Sequence, residues 1–213
     1  MARKNVLLVE GLDDIKVIGE LLEYHKVPEI FAIKQKGGDS NLKQEAFQNI
    51  LDTLDTEIDG SGLEKLGIVI DADTELSKRW DSLSQLLRSI GYRNVPKVPD
   101  PQGTIVKQAD RPTVGIWLMP DNQLPGMLEN FIEFLVPPND TLWQRAKKCL
   151  DEIPQNEQPF RPQHKIKAQV HTWLAWKEQP GKPLGQAIKM RYLDADLPQA
   201  QQFISWIQLL FNS

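Results

Sequence analysis

The chain has 213 residues, of which 40% are apolar and 25% are charged, and it contains six tryptophans. This composition is typical of a folded globular protein and argues against a disordered chain. The formal charge of −4 at pH 7 excludes a protein that coats nucleic acid through a uniformly basic surface.

The N-terminal residues and the cysteine content predict a cytoplasmic protein. Met1-Ala2-Arg3-Lys4 leads directly into an apolar strand, and not into the apolar region of a signal peptide. No apolar run approaches the roughly 20 residues of a membrane-spanning helix, so we expect no membrane as a partner. Cys149 is the single cysteine, which excludes an internal disulfide and a metal site built from cysteines. A bound metal would therefore use oxygen or histidine ligands.

The first part of the chain alternates between short apolar runs and helical periodicity. Apolar runs at 6–9, 30–33 and 66–70 predict three strands. Each run is followed by apolar residues at helical spacing, which predict a helix after each strand. Three consecutive βα units predict right-handed crossovers and a parallel sheet with helices on its faces.

The pattern changes after Pro96. Residues 104–106 and 113–119 predict two strands that form a hairpin at the edge of the sheet. Later residues show only helical periodicity, in the segments 126–136, 139–152, 164–178, 184–192 and 197–211. The Pro-rich stretch 154–162 is predicted to link two of these helices.

These elements predict an α/β protein with two regions. Residues 1–120 would form a parallel sheet of about four strands, plus the edge hairpin, flanked by helices. Residues 121–213 would form a helical C-terminal extension packed on this domain. That extension could also contact a protein partner or form a homodimer.

Acidic residues follow two of the predicted strands. Glu10 comes directly after the first strand, and Asp71 and Asp73 follow the third. Because residues past the carboxyl ends of parallel strands converge on a ligand crevice, we expect these carboxylates to meet. A divalent cation would relieve their repulsion, and hard oxygen ligands favour Mg²⁺ or Mn²⁺. The alternative is a structural role, since such acids are also common as helix N-caps and turn formers.

Two stretches of the sequence resemble motifs of the Toprim superfamily. Val9-Glu10-Gly11-Leu12-Asp13-Asp14 is similar to its glutamate motif, and Val69-Ile70-Asp71-Ala72-Asp73 is similar to its Asp-x-Asp motif, in the family's order. Toprim domains occur in bacterial primases, topoisomerases, recombination proteins, and the overcoming-lysogenisation-defect (OLD) nucleases. The resemblance covers residues 4–120 and implies a compact parallel α/β fold with Mg²⁺-dependent phosphodiester chemistry. The whole chain also looks like a small bacterial family of stand-alone Toprim-like proteins.

The resemblance implies roles for individual acids. Asp71 and Asp73 would hold the cation, and Glu10 would be a ligand or the general acid/base for the attacking or leaving oxygen. Asp14 matches an aspartate of the primase motif. In OLD-type nucleases, a further acid downstream of the Asp-x-Asp motif supports a second cation. Glu129 or Asp121 could correspond to it. The predicted catalytic residues are Glu10, Asp71 and Asp73, and the predicted metal ligands are Glu10, Asp71, Asp73, Asp14, Glu129 and Asp121.

Glycines and one lysine are candidates for contacts with phosphate. Gly37 and Gly38 follow the second predicted strand, where a tight turn would let backbone N–H groups approach a phosphate. Gly11 lies in the glutamate motif between the first strand and its helix. Lys182 could supply the positive charge that phosphoryl transfer uses.

Three functional interpretations follow from these patterns. The favoured one is a Mg²⁺-dependent enzyme acting on the phosphodiester bonds of DNA or RNA, in particular a nuclease, because hydrolysis by activated water needs the fewest additional parts. The second is a module on the same fold that binds a nucleotide, a phosphate or a partner protein without catalysis. The third is another acidic-pocket protein, such as a phosphoacceptor receiver or a haloacid-dehalogenase-like phosphatase.

Overall fold

The computed structural model describes residues 4–36, 43–60 and 62–212, without the side chains of residues 43–46. The strands are β1 (Asn5–Val9), β2 (Ala32–Gln35), β3 (Lys65–Asp71), β4 (Thr104–Val106) and β5 (Thr113–Met119). The α-helices are α1 (Leu12–Tyr24), α2 (Lys43–Gly60), α3 (Leu76–Ser89), α4 (Leu128–Phe134), α5 (Thr141–Asp151), α6 (Lys165–Ala175), α7 (Leu184–Lys189) and α8 (Pro198–Asn212). None of the helices over these residues is long and apolar enough to cross a membrane.

The strands form one five-stranded sheet in the order β2-β1-β3-β5-β4. β1 pairs in parallel with β2 and β3, and β3 pairs in parallel with β5. The short β4 pairs antiparallel with β5 and forms one edge of the sheet. The prediction of an α/β fold with a mostly parallel sheet, flanking helices and an edge hairpin is confirmed. One 3-10 helix, Gln155–Glu157, lies in the predicted linker, and a second, Pro162–His164, begins at its last residue.

Both faces of the sheet are covered, so the central strands are apolar at almost every position. Alternate residues of β1, such as Val6 and Leu8, pack in a core that also contains residues of α2 and α3. The intervening residues Leu7 and Val9 pack in a second core with residues of α1, α4, α5, α6, α7 and α8. The C-terminal helices therefore complete the layer that α1 begins, and they share its core. The division of the chain into two domains at residue 120 stays a prediction.

Two glycines let α8 lie close to the sheet. Gly67 of β3 and Gly115 of β5 are paired in the sheet register. An ideal Cβ on Gly115 would lie 2.5 Å from Leu210 Cδ2, and one on Gly67 would lie 3.2 Å from the same atom. A side chain on Gly115 would occupy the place of Leu210, whereas one on Gly67 would first meet Leu7 Cδ1, at 2.5 Å. The absence of side chains at both positions therefore lets α8 pack close over β3 and β5.

A hydrogen-bonded ion pair joins the start of α5 to the end of α6. Asp140 caps α5, since its Oδ1 accepts the Trp143 N–H at 2.9 Å. Its Oδ2 lies 2.5 Å from Lys177 Nζ, just beyond the end of α6. Burial alone would raise the pKa of Asp140, but the hydrogen bonds from Lys177 and the Trp143 N–H outweigh it and lower the pKa. The charged form of Asp140 therefore stabilises the contact between α5 and α6.

Replacing Asp140 by Asn is expected to lower the free energy of unfolding at pH 7 by about 1 kcal/mol. Asn keeps an N-cap acceptor but loses the charge that attracts Lys177. Because the pKa of Asp140 is lowered by folding, its contribution is complete above about pH 4 and disappears as the pH falls through the folded-state pKa. Urea unfolding between pH 3 and pH 7 should therefore show the difference between wild type and variant shrinking in acid.

The matched control is Asp151→Asn, which removes the exposed ion pair between Asp151 and Lys165. We expect it to change stability by less than about 0.5 kcal/mol, as is usual for an exposed pair. Equal effects of the two substitutions at pH 7 would contradict a stabilising role of the Asp140 charge.

Candidate functional site

The sheet changes its direction of winding between β1 and β3. β1 connects through α1 to β2 on one side, whereas β3 continues through α3 and β4 to β5 on the other. β1 and β3 are neighbours in register, and Val9 pairs with Val69. In open α/β sheets, ligands bind in the crevice outside the carboxyl ends of the strands at such a switch point. Glu10 follows β1 there and Asp71 ends β3, so the fold brings these two sequence-predicted residues to neighbouring strand ends.

The loop after β1 carries two buried carboxylates. Glu10 is 7% exposed and Asp14 is 9% exposed. The Gly11 N–H donates to Asp14 Oδ2 at 2.9 Å, so Asp14 holds the first turn of α1 from within the helix. An ideal Cβ on Gly11 would lie 3.1 Å from the same oxygen, which leaves little room for a side chain. Asp14 thus has a structural role beside Glu10, and its role as a metal ligand stays a prediction.

The end of β3 is fixed against the start of α4. Asp71 is 4% exposed, and its Oδ1 accepts the N–H of Leu128 at 2.9 Å. This contact agrees with strand alternation, which puts Asp71 on the same face as Val69. Two residues later, the Asp73 N–H donates to the carbonyl oxygen of Gly126 at 2.8 Å. The Asp71 carboxylate is therefore held in one orientation at the switch point.

Asp73 points toward α3. Its backbone is in the left-handed region, with φ at +52°, a conformation that aspartate tolerates better than most residues. Its carboxylate forms a hydrogen-bonded ion pair with Arg79 of α3. The Arg79 guanidinium also lies over the Phe47 ring of α2, 4.1 Å from its centroid. The structure therefore adds Arg79, which the sequence pattern does not single out, to the neighbourhood of the Asp-x-Asp motif.

Glu129 lies near the same strand end because it directly follows Leu128, the hydrogen-bond partner of Asp71. It is 3% exposed, and its Oε1 lies 3.1 Å from Lys167 Nζ of α6. A buried carboxylate is costly unless it is paired, so Lys167 stabilises Glu129 in its charged form. Lys167 therefore binds the carboxylate that the sequence suggests as a ligand of a second cation.

The remaining sequence-predicted residues lie elsewhere or are not described. Asp121 is half-buried in the loop after β5, and its Oδ1 accepts the N–H groups of Gln123 and Leu124, which is a turn-forming role. Lys182 precedes Pro183, which lines a separate cleft of about 840 Å³ along the later part of α1. Gly37 and Gly38 lie outside the described residues.

A cleft of about 720 Å³ opens beside Asp73. One wall is formed by the start of α3 and the loop before it, and the other by the segment 161–167. Its charged lining residues are Asp73, Glu75, Lys78, Arg79, Arg161 and Lys167, and His164 lies among them. The density of basic residues in 161–167 is visible in the sequence, but the wall that they form depends on how α6 packs.

These carboxylates suit a divalent cation only if water molecules and substrate oxygens complete its coordination. Among the described residues, no group of three or more His, Cys, Asp or Glu side chains is arranged to hold a metal ion. Two of the predicted ligands are instead paired with basic side chains, Asp73 with Arg79 and Glu129 with Lys167. Mg²⁺ is usually held by one or two carboxylates together with waters and substrate phosphates. Glu10 and Asp71, at neighbouring strand ends, are the candidate donors for a site of this kind.

One family model matches almost the whole chain. It is described as a protein of unknown function (DUF3226), and the match covers residues 4–212. No curated protein and no solved structure matches the chain.

Proposed function

The chain belongs to the DUF3226 family, and we propose that it is a Mg²⁺-dependent enzyme that cleaves phosphodiester bonds of nucleic acid. The observation that carries this proposal is the pair of buried carboxylates, Glu10 and Asp71, at neighbouring strand ends of the topological switch point. Two ionised carboxylates that lie near each other repel, and a divalent cation between them relieves this repulsion. The resemblance of the stretches around the two residues to Toprim motifs favours the same chemistry.

In this proposal, Glu10 and Asp71 hold the cation. A bound Mg²⁺ or Mn²⁺ would supply an activated water and neutralise charge on the phosphate. The Leu128 N–H keeps Asp71 in place, so the carboxylate needs little reorganisation when it acts as a ligand. Glu10 has a second role as the general acid/base that moves the proton of the attacking or leaving oxygen.

The neighbouring basic side chains stabilise the reacting phosphate. Arg79 and Lys167 both line the cleft, and each is held close by a carboxylate. Fixed positive charges near the reacting group stabilise the negative charge that develops on phosphate oxygens. Asp73 positions Arg79 in this account, and Glu129 positions Lys167.

The experiment that tests the proposal is a cleavage assay with purified protein. Labelled single-stranded DNA, duplex DNA and single-stranded RNA are each incubated with Mg²⁺, with Mn²⁺ and with EDTA. We expect cleavage of at least one substrate with either metal and none with EDTA. Intact substrates under all conditions would refute a nuclease.

A second candidate is a binding module on the same fold without turnover. The observation that favours it is the internal neutralisation of two acids, Asp73 by Arg79 and Glu129 by Lys167, which makes the site stable without a ligand. Calorimetry with nucleotides separates the two proposals. Saturable binding of an intact nucleotide, with no cleavage of any nucleic acid, would favour the module.

A further inference from the structure

The cleft beside Asp73 differs in charge from the protein as a whole. Among the residues that the structure describes, four basic and two acidic side chains line it, whereas the whole chain carries a formal charge of −4. A local excess of positive charge in a concave surface attracts anions and raises their local concentration. The charge of this cleft therefore suits an anionic ligand.

The two walls of the cleft come from distant parts of the sequence. Lys78 and Arg79 belong to α3, which begins beside the end of β3, whereas Arg161 and Lys167 belong to the C-terminal region. Arg161 directly precedes the 3-10 helix Pro162–His164, and Lys167 lies in the first turn of α6. The C-terminal helices thus contribute one complete wall next to the Asp-x-Asp motif.

The basic side chains of this wall have N–H groups that can bind a ligand. Arg161 is exposed and forms no ion pair with the residues that the structure describes. The Lys167 side chain is 44% exposed although it pairs with Glu129. An ammonium group has three donors, so Lys167 can bind Glu129 and a second anion together. Both side chains can therefore reach a ligand without breaking the contacts of the fold.

We propose that this cleft binds the phosphodiester backbone of a single-stranded nucleic acid, with Arg161 and Lys167 contacting its phosphates. This inference rests on the proposed function and gives the C-terminal region a role in binding the substrate. A volume of about 720 Å³ suits a few nucleotides of one strand. Duplex recognition, in contrast, usually buries more than about 1,000 Å² of protein surface.

The test measures binding without cleavage. Fluorescence anisotropy is recorded for a labelled 12-nucleotide single-stranded DNA, for the RNA of the same sequence and for the corresponding DNA duplex. Each titration is made in EDTA at several salt concentrations. For the strand that binds, Arg161→Gln is expected to weaken binding roughly 5-fold at low salt and to reduce the salt slope by about 0.7, the value for one lost phosphate contact.

Arg93→Gln is the matched control. Arg93 is exposed and lies beyond the end of α3, which is about 21 Å long and runs away from the cleft. The dissociation constant of the Arg93→Gln variant for the labelled strand should stay within about 2-fold of wild type, because the residue is remote from the proposed contact. Equal effects of the two substitutions, no binding of either strand by wild type, or tighter binding of duplex would overturn the inference.

The outcomes also separate this inference from the proposed enzyme. Wild-type cleavage combined with unchanged binding by Arg161→Gln would leave the nuclease and remove the role of the cleft. Weaker binding by Arg161→Gln combined with no metal-dependent cleavage by wild type would leave the cleft and remove the nuclease.

Discussion

Replacing Glu10 by Gln is expected to reduce metal-dependent cleavage about 1,000-fold. The amide keeps the size of the side chain but removes the negative charge that holds a cation and the group that exchanges a proton. The residue is buried, so an effect of the substitution on the fold must be measured beside its effect on activity. Initial cleavage rates with Mg²⁺, together with thermal unfolding of both proteins, measure the effect on activity separately from the effect on stability.

Glu23→Gln is the control for this substitution. Glu23 is exposed near the end of α1, whereas Glu10 precedes the start of that helix. The control should cleave at the wild-type rate and unfold at the same temperature. Full activity of the Glu10 variant would contradict the assignment of this residue to the site.

Replacing Trp206 by Ala is expected to lower the free energy of unfolding by about 3–5 kcal/mol. The side chain is 1% exposed, and its ring centroid lies 5.6 Å from that of Trp117 and 5.7 Å from that of Phe203. An ideal Cβ on Gly103, at φ +92°, would lie 2.3 Å from the Trp206 ring, which leaves no other residue room there. The substitution therefore leaves a cavity between α8 and the edge of the sheet.

Leu209→Ala in the same helix is the matched control. Its side chain is 63% exposed, so we expect a change of less than about 0.5 kcal/mol. Chemical denaturation of both variants gives the comparison. A similar loss of stability in the two would mean that α8 does not form part of the core in solution.

The central strands could be predicted from the sequence because burial on both faces makes them continuous apolar runs. β1 and β3 coincide with the predicted runs, but β2 is displaced from 30–33 to Ala32–Gln35. β2 is an edge strand with one neighbour, and none of its residues is buried. Its position is set by pairing with β1, where Val6 lies opposite Ala32, and apolar periodicity carries no information on that pairing.

The acidic residues of the candidate site could be predicted from the sequence, but their ion-pair partners could not. Glu10 and Asp71 were visible as charged residues directly after apolar runs, where polar residues meet a ligand crevice. The pairs of Asp73 with Arg79 and of Glu129 with Lys167 depend on the left-handed backbone of Asp73 and on the packing of α6. Asp73 and Arg79 are six residues apart, a spacing that is not typical of an ion pair, and Glu129 and Lys167 are far apart in the chain, so the sequence reveals neither contact.

Binding of Mn²⁺ tests the central claim most directly, because it reports on the carboxylates without requiring a substrate. Titration by electron paramagnetic resonance compares wild type, the double variant Glu10→Gln with Asp71→Asn, and Glu23→Gln. We predict that wild type and Glu23→Gln bind Mn²⁺ equally and that the double variant binds it about 100-fold more weakly or not at all. Equal Mn²⁺ binding by the double variant and wild type, or none by wild type, would contradict a cation site at the ends of β1 and β3.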